Sequence, residues 1–336
     1  MKYNNKKIYT IMLTILTIIC ISAPIYASNN TSYIAINLKT KKVLEANNED
    51  KKIYPASLTK ILSSIIVLEN CNLNDEIIID ERMISNFSDD SSQIHLQIGD
   101  KYTIKDLLYA LLFKSANDAT YALSIYTTGS IDSFVKLMNN KVKMLNLYNT
   151  HFTNPTGIFD NNHYTTAYDF SIICKYAYEN EDFLKIFENT NYFLPYSSFY
   201  PNGVTISVGN KMMKHGASEY DEKVIAGKNG HTTLSKYTLA SFLRERDKDS
   251  LVLAFGYDTE EKIYNISKEI ISKIYNDNND YLLQSEVLLN NDTLKTNHTN
   301  SILQNIMIFV IFFISIVIFA YYLYYLFDVK KLIKKM

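Results

Sequence analysis

The sequence predicts an α/β fold, a sandwich of one antiparallel sheet with helices, followed by a single membrane-spanning helix. Three observations carry that expectation. Strand-like apolar runs stand near residue 33 and again after residue 236, with helical patterns between them. An amphipathic helix follows the late strands, so the first and last segments of the domain become sheet partners. Beyond it, residues 306–327 are apolar without one charge. About 22 residues at ~1.5 Å each give roughly 33 Å, the thickness of a bilayer core.

Taken in order, residues 1–27 read as a secretory signal peptide. Lys2, Lys6 and Lys7 make a basic start, residues 8–23 are apolar, and Ala27 offers a small residue before the cut. An uncleaved N-terminal anchor is the other reading. Cys20 does not fit a lipoprotein site, because Ile19 stands where a small residue is needed.

Residues 28–276 form the expected globular domain. Residues 33–38 (Tyr-Ile-Ala-Ile-Asn-Leu) suggest a strand, residues 39–42 a polar turn, and Val43-Leu44 its return. Pro55 breaks the pattern, and residues 57–69 read as a helix apolar on nearly every face, hence buried. Thr103 with Asp106 is a capping box opening a helix over 107–113. Residues 237–243 and 251–257 flank a charged turn at 244–249, a hairpin signal. A final helix is expected from Asp258, with Glu261 as its capping partner and Ile263, Ile266, Ile270, Ile271 and Ile274 as its apolar stripe.

Residues 277–304 are Asn- and Asp-rich and read as a tether. The spanning helix is assigned to 305–327, with Tyr321, Tyr322, Tyr324 and Tyr325 at its interface. The tail at 328–336 carries Lys330, Lys331, Lys334 and Lys335, which the positive-inside rule keeps in the cytoplasm. A signal peptide and a cytoplasmic tail then put the domain on the outer side of a cell membrane.

Composition excludes several classes. Hydrophobic residues make up 47% of the chain, enough for a sizeable core. A formal charge of −1 lacks the basic surplus of a nucleic-acid binder. Of the three cysteines, Cys71 and Cys174 lie in the domain without metal-ligand spacing. They are expected as buried free thiols, a single long-range disulfide being the alternative. His163 and His231 show no metal-binding spacing, so neither metal nor cofactor is expected. His163 and Asp169 are expected to hold a loop.

Three short motifs carry chemistry. Ser57-Leu58-Thr59-Lys60 puts a hydroxyl and an amine on one helical face. Pro55 helps set Ser57 at the helix N-terminus, where free N–H groups favour a developing oxyanion. Lys60 can act as a base if burial and a second cation bring its pKa down from ~10.4. Ser115-Ala116-Asn117 offers a hydroxyl and an amide two residues apart on a turn. Gly227-Lys228-Asn229-Gly230-His231 sits on or beside a strand, with glycines that admit close backbone approach. Each alone also fits an ordinary capped helix or turn.

In this order the three motifs resemble the signature of penicillin-recognising serine enzymes. More specifically, the chain resembles the serine-type D-alanyl-D-alanine carboxypeptidases, the low-molecular-weight penicillin-binding proteins of peptidase family S11. The blocks at 42–60, 99–119, 154–157 and 163–169 extend the likeness over residues 32–276. The resemblance implies that Ser57 attacks the carbonyl between two D-alanines of a peptidoglycan stem peptide and that Lys60 takes its proton. It implies that Ser115 and Asn117 relay the proton and hold the substrate amide, and that Lys228 helps bind the terminal carboxylate. Asn229 and Gly230 would line the same substrate pocket. Backbone N–H groups of Ser57 and His231 would form the oxyanion hole, and β-lactams would be covalent inhibitors. Two departures stand out. The family usually has Lys-Thr-Gly where this chain has Lys228-Asn229-Gly230, and many relatives carry a β-rich domain and an amphipathic C-terminal anchor in place of a short tether and a spanning helix. The rival readings are an endopeptidase cutting cross-links, a β-lactamase, and a catalytically weak wall-binding scaffold.

Overall fold

The computed structural model describes residues 31–276 except 86, 89, 90, 246 and 247. The signal peptide, tether, spanning helix and basic tail expected from the sequence therefore lie outside the described residues.

A five-stranded antiparallel sheet organises the domain. Its strands are β1 (Ser32–Asn37), β2 (Val43–Asn47), β7 (Val224–Thr232), β8 (Lys236–Leu243) and β9 (Ser250–Tyr257), in the order β2-β1-β9-β8-β7. The strand near the start pairs with the last one, Ile34 opposite Leu253, as the sequence predicts. Between β2 and β7 the chain forms two short hairpins, β3 (Glu76–Ile78) with β4 (Lys101–Thr103) and β5 (Asn191–Leu194) with β6 (Val204–Ser207). Among the described residues it also forms six α-helices: α1 (Thr59–Asn70), α2 (Ile104–Phe113), α3 (Asn117–Thr128), α4 (Ile131–Met144), α5 (Ala167–Tyr178) and α6 (Glu181–Phe187). Helix α7 (Glu260–Asn276) closes the domain.

Strand alternation assigns the two faces of the sheet. Leu251, Leu253 and Phe255 of β9 enter the main core with Ile34 and Ile36 of β1. Val252 and Ala254 are equally buried but point the other way. That opposite face is left for the buried stripe of α7, Ile263, Tyr264, Ile270 and Ile271. Ile266 and Ile274, expected in that stripe, are only half-buried. Lys273 of α7 reaches Glu45 of β2 at 3.7 Å.

Helix α1 is the buried centre. Every residue from Thr59 to Val67 is inaccessible to solvent, and α2, α3, α4, α5 and α6 pack around it. Its Ile61, Leu62, Ile65 and Ile66 each contribute on the order of 2 kcal/mol through burial. The capping box forms as predicted: Asp106 N–H donates to Thr103 Oγ1 at 3.1 Å, and Thr103 N–H donates to Asp106 Oδ2 at 2.7 Å. The helix it opens starts at Ile104, one turn before the predicted start.

Three expectations need correction. Helix α7 begins at Glu260 and not at Asp258, because the Thr259 hydroxyl accepts the Lys262 N–H and serves as its cap. Cys71 and Cys174 are free, as expected, but Cys71 is only half-buried where burial was expected. Ser57 sits not in the α-helix but in a 3-10 turn, Ala56–Leu58, that leads into it.

Candidate active site

The site is built outward from that turn. Ala56 takes a φ of 49°, a left-handed conformation that is costly for a residue with a Cβ. Two glycines press on the strained turn. A Cβ on Gly157, whose own φ is 84°, would lie 1.9 Å from Ala56 O. A Cβ on Gly230 of β7 would lie 2.8 Å from the Ser57 nitrogen. Backbone from two distant segments thus fixes the peptide that carries Ser57, an approach that only residues without side chains permit.

Lys60, in the first turn of α1, is fully buried. Its Nζ donates to Asn117 Oδ1 and to Thr156 O, both at 2.7 Å, and stands 3.4 Å from Ser57 Oγ. Burial holds its pKa well below the usual lysine value. The nearby Lys228 charge lowers it further, against an opposing pull from Asp118. Lys228 lies on β7, 1% exposed, with Nζ donating to the Asn229 carbonyl at 2.7 Å. Burial brings its pKa down to about 7.

Ser115 and Asn117 bracket the start of α3. Ser115 has a φ of 57°, and its buried Oγ meets no hydrogen-bond partner among the described residues. A buried hydroxyl without a partner costs about 1–3 kcal/mol. Asn117 N–H donates to Ser92 O at 2.7 Å. The Asp118 carboxylate accepts the N–H groups of Ile94 and Leu96, each at 3.1 Å, tying residues 92–96 to this turn.

A second tier fixes the loop that supplies Thr156. Ser63 Oγ, one turn beyond Lys60, donates to Pro155 O at 2.7 Å. His163 Nδ1 accepts the Thr153 N–H at 3.2 Å, so its Nε2–H donates to Thr59 Oγ1 at 2.9 Å. Burial lowers the His163 pKa to about 4, keeping the ring neutral. Asp169 Oδ2 accepts from Asn149 N–H and from Thr150 Oγ1. Both residues hold loops, as the sequence suggests.

Ser57, Lys60 and Asn117 therefore converge through direct contacts, Gly230 backs the Ser57 turn, and Lys228 acts on Lys60 through its charge. Asn229 is half-buried with its amide toward Gly209, and His231 is exposed, its ring 4.3 Å from that of Tyr237. Sequence reasoning missed the contributions of Thr156, Ser63 and Thr59. Two of these act on or as backbone carbonyls, which carry no side-chain signature.

With the geometry in hand, a comparison with family models matches residues 20–259 to the family described as D-alanyl-D-alanine carboxypeptidase. The chain belongs to that peptidase family. Among characterised members it is similar to the D-alanyl-D-alanine carboxypeptidase DacF of Bacillus subtilis, 31% identical over 246 residues, covering 69% of this chain and 58% of that one. The chain thus spans little more than half the length of this relative. The DD-transpeptidase of Streptomyces K15 superposes with a TM-score of 0.65 at 26% identity, covering 72% of this chain and 95% of that one. The D-alanyl-D-alanine carboxypeptidase of Mycobacterium tuberculosis shares the fold with a TM-score of 0.66 at 22% identity, covering 74% and 92%. The carboxypeptidase family accounts for the penicillin-binding-protein-like arrangement of an antiparallel sheet with helices on both faces.

Proposed function

We propose that the chain is a serine-type D-Ala-D-Ala carboxypeptidase that trims peptidoglycan stem peptides through a Ser57 acyl-enzyme. The observation that carries this reading is the bonding of Lys60. A neutral amine has two N–H groups and one lone pair. The two short contacts, to Asn117 Oδ1 and Thr156 O, take the N–H groups. The remaining direction, toward Ser57 Oγ at 3.4 Å, is left for the lone pair. Burial and Lys228 favour the neutral amine, so Lys60 is positioned as the base for the Ser57 proton.

In the proposed cycle Ser57 Oγ attacks the carbonyl between the two D-alanines, and its proton passes to Lys60. The Ser57 N–H at the strained turn and the His231 N–H on β7 receive the oxyanion. The carbon–nitrogen bond breaks, and the leaving amine takes a proton through Ser115, whose unpartnered hydroxyl suits a relay. Asn117 holds the substrate amide, while Lys228 and Asn229, with Gly230 between backbone and substrate, line the leaving-group side. Water then hydrolyses the ester. β-Lactams would stop at the acyl stage. The charge-free run at 305–327 and the lysines after it support anchoring in the cell membrane with the domain outside.

The test is incubation of the full chain, in membranes, with a fluorescent penicillin, followed by mass mapping of the adduct. A label on Ser57 that is absent from Ser57→Ala is the expected result. Normal turnover of D-Ala-D-Ala peptides by folded Ser57→Ala would overturn the assignment.

A further inference from the structure

On the Asn117 side, the wall of the cleft continues into an aromatic rim that the proposed cycle does not use. Asn117 N–H donates to Ser92 O, and Asp118 accepts the N–H groups of Ile94 and Leu96. His95, between those two, takes a φ of 57° and keeps its side chain exposed, a strained backbone of the kind that marks functional segments. Its ring lies 4.3 Å from that of Phe199, which stands in the loop joining β5 to β6. Phe199 in turn meets Tyr200 edge-on at 4.9 Å. The loop is fixed in place, since Ser198 donates twice to the buried Asp100, through its N–H at 2.8 Å and its Oγ at 2.6 Å. Tyr196 and Phe199 nevertheless remain 68% and 46% exposed. Aromatic rings grouped in water on ordered backbone mark an interaction surface.

Charge and reach decide what this surface takes. Residues 92–99 and 191–207, which form it, contain no Asp, Glu, Lys or Arg. An anionic lipid surface is met by Lys and Arg beside the apolar rings, and an ionic peptide by opposite charges. Neither is offered here. A neutral pyranose presents a face of C–H groups to an aromatic ring, with hydroxyl and acetamido groups at its edge. Rings set among Ser, Asn and Gln side chains answer both parts. A stem peptide carries such sugars at the end away from its D-alanines. Its five residues extend to at most ~18 Å. Ser92 and His95 are three residues apart, at most ~11 Å, and Phe199 lies a further 4.3 Å away between ring centroids. A peptide whose amide is held at Asn117 therefore reaches the rim with its sugar.

Resting on the hydrolase reading above, we propose that His95, Tyr196 and Phe199 form a saccharide subsite. It stacks an N-acetylated sugar of the glycan and so selects stem peptides still attached to their sugars over free peptides. The bond that is cut and the Ser57 ester are unchanged, because the subsite acts on binding alone.

The experiment compares three substrates with the full chain, by kcat and KM for release of D-alanine. They are a stem pentapeptide ending in D-Ala-D-Ala, the same peptide on its N-acetylglucosaminyl-N-acetylmuramyl disaccharide, and the same peptide with an N-terminal octanoyl chain. The native chain is expected to favour the disaccharide form over the free peptide by about tenfold in kcat/KM, mostly through KM, the scale of one or two aromatic contacts. The octanoyl form is expected to gain less than about twofold. Tyr196→Ala changes an exposed side chain, and Phe199→Leu keeps apolar bulk against His95. Each is expected to remove most of the preference while turnover of the free peptide and penicillin labelling of Ser57 stay at the native level. Equal kcat/KM for the free and disaccharide forms, or a preference that both variants keep, overturns the inference and leaves the Ser57 mechanism standing. A gain from the octanoyl chain as large as that from the disaccharide overturns the saccharide assignment in favour of a lipid-facing surface. No turnover of any substrate, with no penicillin label on Ser57, overturns both readings.

Discussion

At the residue scale, the site is organised around two buried amines that the fold keeps without carboxylate partners in direct contact. Lys60 and Lys228 are 0% and 1% exposed, and burial lowers the pKa of each. That arrangement costs stability. Lys228 titrates near 7 in the folded chain and near ~10.4 when unfolded. Between those values the unfolded chain binds more protons, so stability rises with pH from about 7 to about 10. Below pH 7 the penalty is complete, on the order of 4 kcal/mol. Lys228→Met removes the penalty but also the bond to the Asn229 carbonyl. The expected net gain is about 2 kcal/mol, or roughly 5 °C in Tm at pH 7, with a flatter rise of Tm toward pH 9. Acylation by penicillin is expected to fall by about a hundredfold in the same variant, because a preorganised charge is lost. Thermal melts at pH 7 and 9, together with labelling rates, check both; an unchanged or lower Tm at pH 7 contradicts the stored cost. The candidate residues were legible in the sequence because each motif is local. Ser57 and Lys60 are three apart, Ser115 and Asn117 two apart, and Lys228, Asn229 and Gly230 are consecutive. Their partners were not legible: Lys60 meets Thr156 96 positions away, and Ser63 meets Pro155 92 positions away. Both acceptors are main-chain carbonyls, which any residue supplies.

At the element scale, α1 acts as a clamp on the 154–157 loop. Thr59 acts through His163, Lys60 bonds Thr156 O and Ser63 bonds Pro155 O, so one buried face of the helix holds the loop from three points. Asn154 Oδ1 organises the same loop internally, accepting the N–H groups of Thr156 at 3.2 Å and Gly157 at 2.8 Å. The loop in turn presses Gly157 on the Ser57 turn. Gly157→Ala adds a Cβ 1.9 Å from Ala56 O at a φ of 84°, so either the loop or the turn must move. A displacement near 1 Å at a reacting group costs about a hundredfold in rate. Gly157→Ala is therefore expected to lose acylation by that factor while near-ultraviolet circular dichroism still reports a packed core. Full labelling in that variant contradicts the clamp. α1 and the β8–β9 hairpin were legible because continuous apolar runs are bounded by turn signals, and the capping box because Thr103 and Asp106 stand three apart. The β5–β6 hairpin and the two-residue offset at α7 were not. β5 carries the exposed Phe193 and the half-buried Tyr192, so neither face is cleanly apolar, and the Thr259 cap competes with an equally plausible Asp258 beside it.

At the scale of the whole molecule, the order β2-β1-β9-β8-β7 puts the first strand inside the sheet and the motif-bearing strand at its edge. The interior position of β1 explains why the fold class was readable from the two ends of the domain: its outer neighbours are its own hairpin partner and the final strand. The edge position of β7 leaves its outer backbone groups facing the Ser57 turn, where an extended substrate can lie alongside. A stem peptide is reachable only if that edge is outside the cytoplasmic membrane, and the proposed orientation rests on the charge pattern of the sequence around residues 1–27 and 305–336. The lysines at 330, 331, 334 and 335 follow a run without charges, while Lys2, Lys6 and Lys7 precede another. Both asymmetries favour a cytoplasmic C-terminus, since each Lys near an anionic leaflet is worth about 1 kcal/mol. With a tag placed after residue 336, protease added to wall-stripped cells is expected to remove the domain and leave a short tagged fragment that stays in the membrane pellet after alkaline washing. Replacing the four tail lysines with glutamate should weaken that orientation and lower the yield of the protected fragment. A domain that survives protease until the cells are lysed would put the active site on the wrong side for peptidoglycan, and the proposed substrate would fall with it.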